Sequence, residues 1–401
     1  MTATRTYTPD QLWMPDVIAD PYPAYTQFRD ASPVQYTLLP RGAVAGLDEP
    51  VMAWALMRHE DVIAALRDHG TFASGRDPLA GKAFPKMVLL QDDPPRHSRF
   101  RQLVNQAFTM RRIEALTPWI EDTANRLLDE AGEGEVEVMS QYAVPLPVTV
   151  IARLLGIPST DLAAFKRWSD SLLAISSAPP EERARQNQEM AQYFGRMVAQ
   201  RRAQGAEDLI TTLVESQIDG ECLQDAEILG FCILLLVAGN ETTTNLIGNL
   251  LGILADRPEL WERMRADRSL VEPVINETLR FESPVHRLPR QATRDIEIRG
   301  TRIPAGSRVS IFYGAANRDP AAFPEPDEFR PERDTRGHVA FGQGIHYCLG
   351  APLARTEAAI TLNAFLDRFP TLPRGHAPAA RQRASLVVYG YERLPLLLQR
   401  S

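Results

Sequence analysis

Apolar and polar positions divide the chain into a long helical middle and shorter stretches that alternate as strands do. From about Asp225 to Asp256 the sequence reads as one helix, ended by Arg257-Pro258, and its first half from Ile228 to Val237 is apolar on every face. A helix with no polar face is a buried one. Six consecutive polar residues follow, Asn240-Glu241-Thr242-Thr243-Thr244-Asn245, before a second apolar half from Leu246 to Leu254. Polar groups at the middle of a buried helix cost free energy unless something partners them. The plain explanation is that Thr242 to Thr244 bond back to carbonyls one turn earlier; the other is that chemistry happens there.

Further periodic segments surround this one. Phe100, Leu103, Val104 and Phe108 recur at helical spacing behind Asp92-Asp93-Pro94-Pro95, with good N-terminal chemistry for a helix. His97 and Arg101, at i and i+4, border that apolar face. Cations in a first turn oppose the helix dipole, so a pair turned toward the core points to an anion waiting there. Val271 to Phe281 reads as another helix, carrying Glu277 and Arg280 at i and i+3, a spacing that by itself is an ordinary surface ion pair of little weight. The long helical patterns lie between about 95 and 282, whereas Val51 to Met57 and Gly300 to Ile311 read as short strands with turns.

A different signal occurs near the end, in Phe341-Gly342-Gln343-Gly344-Ile345-His346-Tyr347-Cys348-Leu349-Gly350. Pro352 suits a first helical turn, and Leu353 to Phe369 contains no further proline or glycine, so Cys348 is expected at a helix N-terminus. Backbone N–H groups there are expected to lower its thiol pKa. A thiolate so held can attack carbon, close a disulfide or bind a metal. An ordinary intracellular cysteine is a small buried hydrophobe, but a thiol preceded by two glycines and followed by Leu-Gly is a far more specific pattern.

Bulk properties narrow the classes. With 401 residues, 44% hydrophobic and 24% charged, the chain has the composition of a soluble globular protein. No Ser/Gly-rich linker, repeat or low-complexity tract interrupts it, which favours one continuous domain over 1–401. Met1 to Asp10 is polar and reads as neither a signal peptide nor a membrane anchor; the longest nearly apolar run, Ile228 to Gly239, is too short to span a bilayer. Three cysteines, at 222, 232 and 348, form no Cys-x-x-Cys spacing, which argues against a disulfide framework and a zinc site. The expected location is a reducing cytoplasm. A net charge of −7 gives no encouragement to nucleic-acid binding.

The segment Phe341 to Gly350 resembles the haem-binding loop of the cytochrome P-450 superfamily, with its pattern Phe-Gly-x-Gly-x-His/Arg-x-Cys-x-Gly. Ala238-Gly239-Asn240-Glu241-Thr242 resembles the family's oxygen-binding segment Ala-Gly-x-Asp/Glu-Thr, Glu277-Thr278-Leu279-Arg280 its Glu-x-x-Arg motif, and Phe329-Arg330-Pro331-Glu332-Arg333 the segment that supplies a second arginine. The resemblance implies a mainly α fold, with a smaller β-rich part mostly within 35–60 and 285–315 plus the C-terminal region. It implies haem b (iron protoporphyrin IX) as cofactor, with Cys348 as the axial thiolate ligand of its iron, Phe341 beside the sulfur, and Gly342 and Gly344 letting backbone approach the porphyrin. His97, Arg101, Arg290 and His346 would meet the propionates. Ala238 and Gly239 would line the distal face, Gly239 leaving room for dioxygen in a locally widened helix. Glu241 and Thr242 would relay protons as the O–O bond is cleaved, and Glu277, Arg280 and Arg333 would form a structural triad behind the haem.

By the same resemblance, substrate would sit among Phe84 to Leu90 (Leu89 and Leu90 above all), Leu234, Val237, Val285, His286, Leu288 and the turn Leu386 to Val388, including Val387. This mostly apolar lining favours a hydrophobic molecule of modest size, such as a terpenoid, steroid, fatty acyl or aromatic compound. His286 is the polar member and a candidate to hydrogen-bond a substrate oxygen; the plain alternative has it bonding backbone or solvent. The chain carries no flavin or iron–sulfur region, so the resemblance implies NAD(P)H electrons delivered through a ferredoxin reductase and a ferredoxin. Arg99, Arg111, Arg112, Arg336 and Arg355 are candidates for a basic docking patch. A monomer is the default. Activation of O₂ and hydroxylation of the substrate is the implied activity, the alternatives being a peroxygenase fed by hydrogen peroxide and a non-catalytic haem-binding sensor.

Overall fold

The structure, a computed structural model, describes residues 6–40, 49–75, 86–172, 179–218 and 220–400. Phe84 and Pro85, expected near substrate, lie outside the described residues. Five strands form the main sheet: β1 (Val34–Leu39), β2 (Val51–Leu56), β3 (Phe72–Ala73), β4 (Arg287–Ala292) and β5 (Arg308–Phe312), in the order β1-β2-β5-β4-β3. Only the β2–β5 pair is parallel, with Val309 opposite Trp54; the other pairs are antiparallel, with Val309 also opposite Arg290. The β-rich part therefore joins the two predicted stretches, distant in sequence, into one sheet.

Helices make up most of the rest. Those that build the site are α1 (Tyr22–Ala31), α2 (His59–Arg67), α3 (Arg96–Ala107), α4 (Met110–Ala131), α5 (Pro145–Leu154), α6 (Asp225–Ala255), α7 (Val271–Phe281), α8 (Tyr313–Ala316) and α9 (Ala351–Arg368). Helix α6 opens with a capping box between Gln224 and Glu227, which satisfies N–H groups that have no partner inside the helix. It stops at Arg257-Pro258, because the residue before a proline disfavours helical dihedrals. Its apolar halves are buried in the largest hydrophobic cluster together with α5, α7 and α9. By length and a mean hydropathy of 1.4 it is the one helix among the described residues apolar enough to cross a membrane, yet it lies inside the protein. No local widening occurs: α6 is α-helical throughout.

Helix α9 begins two residues before the expected Leu353, with Gly350 as its cap and Pro352 in its first turn. Helix α7 has the predicted bounds and brings Glu277 and Arg280 into the interior, both fully buried. Two hydrogen bonds of 2.7 and 2.8 Å join them in a bidentate pair, the strong form of this contact. The Arg333 Nε adds a bond of 3.3 Å to Glu277, and the Arg330 amide one of 2.9 Å. Arg280 further donates to the carbonyls of Asn317, Pro326 and Glu328. The triad thus staples α7 to the 317–333 coil that leads into the cysteine loop.

Removing one partner of a buried pair leaves an uncompensated charge, at a cost of about 3–5 kcal/mol. Arg280→Leu is expected to lower the unfolding free energy by that amount or to prevent folding. Arg330→Ala, whose side chain pairs only with exposed Glu325 and Glu328, should cost less than about 1 kcal/mol. Urea unfolding of the two variants checks the contrast.

Candidate active site

The cysteine loop is shaped by backbone bonds that only glycine permits. Gly342 and Gly344 both have φ of 69°, the left-handed region. At Gly344 a Cβ would also stand 2.6 Å from the Leu66 carbonyl oxygen at the end of α2. The Cys348 amide donates to the Phe341 carbonyl at 2.9 Å, and the Gly342 amide to Val339 at 2.8 Å. This fold-back carries the sulfur to the start of α9, where the amides of Gly350 and Ala351 bond to it.

The expected lowering of the thiol pKa does not follow. Burial of the sulfur dominates and pushes the Cys348 thiol above its ordinary value, against those amides and the guanidinium groups of Arg101 and Arg355. Helix amides alone do not hold this thiol ionised; a metal cation bonded to sulfur is the kind of partner that does.

Between the cysteine loop and α6 lies a cavity with about 1630 Å³ of space unfilled by protein, part of it open to solvent. Cys348, Phe341, Gly342 and His346 border it on one side, and Ala238, Gly239, Glu241 and Thr242 on the other. Ala238 is exposed in the middle of a core helix, as a cavity wall requires. Leu234 and Val237 extend that wall along α6; Leu89, Leu90, Val285, Leu288 and Val387 close the rest. Leu386, by contrast, packs into the N-terminal hydrophobic cluster.

The polar stretch of α6 both bonds back within the helix and borders the cavity. The Thr242 hydroxyl donates to the Ala238 carbonyl at 2.6 Å, the ordinary helical bond, and still borders the cavity. Asn245 donates to the Glu241 carboxylate at 3.4 Å. Gly239 borders the cavity, and an added Cβ would also meet the Ile151 side chain of α5 at 2.5 Å. The glycine thus brings α6 close to α5 at a point where Ile151 and Gly239 both border the cavity.

At one end of the cavity basic groups converge. The rings of His97 and His346 lie 4.4 Å apart, with Arg101 and Arg290 on the same wall. Both ring nitrogens of His97 and Nε2 of His346 are buried without a hydrogen-bond partner. Burial, then Arg101, lowers the His97 pKa; burial, then Arg290, His97 and Arg101, lowers that of His346 to about 3. Buried donors repelling one another around empty hydrogen-bonding capacity fit a ligand with carboxylates at this end. Together with a sulfur on the wall and a mostly apolar chamber, the residues fit haem.

One cavity residue was not read from the sequence, and one expected there lies elsewhere. Glu357 of α9 also borders the cavity, buried, with Oε2 unpartnered and its carboxyl raised to about 8 by burial. The signal was available, since an acid interrupts the apolar set Leu353, Ala354, Ala358. His286 is the correction. It is fully buried and lies outside the cavity, its nitrogens bonded to the hydroxyls of Tyr25 at 3.1 Å and Tyr22 at 3.4 Å. His286 lies in the irregular step between the Val285 bridge and β4, where its ring turns to Tyr22 and Tyr25 while Val285 and Leu288 border the cavity, so it does not meet substrate.

On the surface, Arg111 and Arg112 are exposed. Arg336 pairs with Asp334, and Arg355 bonds Asn276 while lying over the Phe341 ring at 4.5 Å. The expected basic patch is thus partly neutralised.

The family model described as Cytochrome P450 matches residues 150–390. The cytochrome P450 monooxygenase PikC of Streptomyces venezuelae is 39% identical over 90% of this chain and 87% of its own length. Among solved structures, cytochrome P450 CYP109Q5 from Chondromyces apiculatus superposes with a TM-score of 0.86 at 38% identity, covering 97% of this chain and 98% of that one. CYP109E1 from Bacillus megaterium in complex with testosterone gives 0.87 at 34% identity, covering 96% and 99%.

Burial holds His286 neutral, with a pKa lowered to about 3, whereas an unfolded chain protonates histidine near 6.5. The unfolded state therefore binds more protons below that value, and stability present above pH 6.5 is lost as pH falls toward 3. Going from pH 7 to pH 5 should cost about 2 kcal/mol from this ring. His286→Phe should be correspondingly less acid-sensitive in urea titrations at the two pH values.

Proposed function

The chain belongs to the cytochrome P450 family, and on that premise we propose that it is a haem-thiolate monooxygenase that hydroxylates a hydrophobic small molecule. The observation that carries the reading is the pairing, across one cavity, of Cys348 with the Glu241–Thr242 segment of α6. Haem b, when bound, supplies reduction of dioxygen and insertion of one oxygen atom into a C–H bond. Cys348 would hold the iron, and His97, Arg101, Arg290 and His346 the propionates, relieving the orphaned ring nitrogens. Phe341 and Gly342 would flank the sulfur side, and Ala238 and Gly239 the opposite face. Glu277, Arg280 and Arg333 would serve as the structural triad.

Glu241 borders the cavity and can exchange protons with solvent; Thr242 presents a hydroxyl that can hold a proton beside the reacting oxygen. A peroxide-fed enzyme or a passive haem carrier has no need of that pair. The apolar wall from Leu89 to Val387 supports a substrate recognised by burial rather than by charge. A steroid-sized molecule is the natural first choice, given the testosterone complex of the similar structure. A single catalytic domain, a cytoplasmic location and NAD(P)H electrons supplied through a ferredoxin complete the reading. The exposed Arg111 and Arg112 are the cations best placed to steer an acidic ferredoxin.

Turnover of testosterone with NADPH, a ferredoxin and its reductase tests this. A hydroxylated product dependent on both redox proteins is expected; product from hydrogen peroxide alone at equal rate would favour the peroxygenase instead. Thr242→Val keeps the side-chain shape and removes the hydroxyl. It should cut product per NADPH by about tenfold or more while leaving the substrate-induced spectral shift unaltered. Charge reversal at Arg112 should slow reduction by ferredoxin at low salt and have little effect at high salt; stopped-flow reduction rates check this.

A further inference from the structure

One buried side chain sits where it connects the cavity walls to the N-terminal part of the chain, yet touches no ligand. The imidazole of His286 stacks on the Tyr389 ring, with centroids 4.5 Å apart and planes 16° from parallel. Gly314 of α8 closes the other side, since a Cβ there would stand 2.9 Å from the imidazole carbon. Both ring nitrogens meet tyrosine hydroxyls from α1, Tyr25 at Nδ1 and Tyr22 at Nε2. A neutral imidazole has one donor and one acceptor nitrogen, so one tyrosine accepts and the other donates.

The surroundings keep it neutral. Arg318 lies over the Tyr22 ring at 4.1 Å, and Arg381 over the Tyr389 ring at 4.7 Å. Arg381 is paired with Glu282 at 2.7 Å.

The backbone of the same residue holds the cavity wall. Its amide donates to the Val387 carbonyl at 2.9 Å, and its carbonyl accepts from Gly314 at 3.2 Å. On either side, Val285 bridges to Val388, and the Tyr389 amide donates to Pro284 at 2.9 Å. The cavity-lining residues Pro284, Val285, Leu288, Val387 and Val388 therefore belong to two segments zipped together at His286. Its ring locks that zipper from behind.

We propose that His286 is a positioning residue: clamped between Tyr389 and Gly314 and bonded by Tyr22 and Tyr25, it fixes the Val285–Leu288 and Val387–Val388 walls and so the orientation of whatever fills the cavity. The inference rests on the haem-thiolate reading above. Packed interiors transmit small shifts, and an ångström of wall displacement is enough to misplace a reacting carbon. Specificity is thereby set in part by α1, an element outside the cavity.

Imidazole and 1-octylimidazole, titrated against the purified holoenzyme and followed by the haem absorbance shift, separate the wall from the iron. Both ligands present the same nitrogen to iron, but only the alkyl chain presses on the walls. His286→Phe should leave the Kd of imidazole within about twofold and weaken 1-octylimidazole by about tenfold, or ~1.4 kcal/mol. The double variant Tyr22→Phe/Tyr25→Phe, which keeps every ring and removes both hydroxyls, should shift the same ratio in the same direction and serves if His286→Phe does not fold. An unchanged ratio in the variant that folds would overturn the proposal, as would equal weakening of both ligands, which marks general damage. Wild-type protein without a haem spectrum would refute the haem-thiolate reading first and take the inference with it.

Discussion

Everything in this molecule that bears on chemistry depends on holding one half-buried sulfur atom at the mouth of a helix and facing a cavity. A thiol in such a place does not ionise by itself: the amides of Gly350 and Ala351 favour the thiolate, but desolvation outweighs them. The loop is therefore a preorganised ligand whose charge is to be completed by a cation. Its geometry is maintained at a distance, by the left-handed Gly342 and Gly344, by the close approach of Leu66, and by the buried Glu277–Arg280–Arg333 staple at the end of the preceding coil.

The cavity has a polar logic that follows from the same constraint. One end gathers Arg101, Arg290 and His346, with His97 packed against His346 and both His97 ring nitrogens and His346 Nε2 unpartnered, and the opposite face carries Glu241 and Thr242 from the polar middle of α6. A dianionic, planar, largely hydrophobic group with a metal at its centre reconciles these three demands in one place. The remaining walls are mostly apolar, and on the proposal above the Val285–Leu288 and Val387–Val388 parts of them are held from outside the cavity by the His286 cluster. Shape of the wall, rather than a hydrogen-bonding side chain in it, becomes the means of choosing substrate.

Much of this was legible in the sequence. The bounds of α6 and α7, the cysteine loop and the buried acid–base triad could be read because motif and periodicity agree with tertiary burial at those positions. Failures have particular causes. His286 stands between two cavity residues in sequence, yet the irregular backbone step before β4 turns its ring to Tyr22 and Tyr25 behind the wall, a turn that no local pattern encodes. Glu357 was missed because one carboxylate within an apolar helical pattern looks like a surface residue until the helix is seen to be buried. Gly239 borders the cavity as expected, and its close approach to Ile151 of α5 is a further contact that no local pattern encodes. The thiol pKa was misjudged because the sequence shows the helix amides but not the depth of burial.

The central claim is that Cys348 is the axial thiolate of a haem bound in this cavity. The most direct measurement is the absorbance difference spectrum of the dithionite-reduced protein with and without carbon monoxide, for wild type and Cys348→His. The account predicts a strongly red-shifted Soret band for wild type and its replacement by a band at the ordinary haem position in the variant. A wild-type band already at the ordinary position, a red-shifted band that survives Cys348→His, or protein that takes up no haem would contradict it.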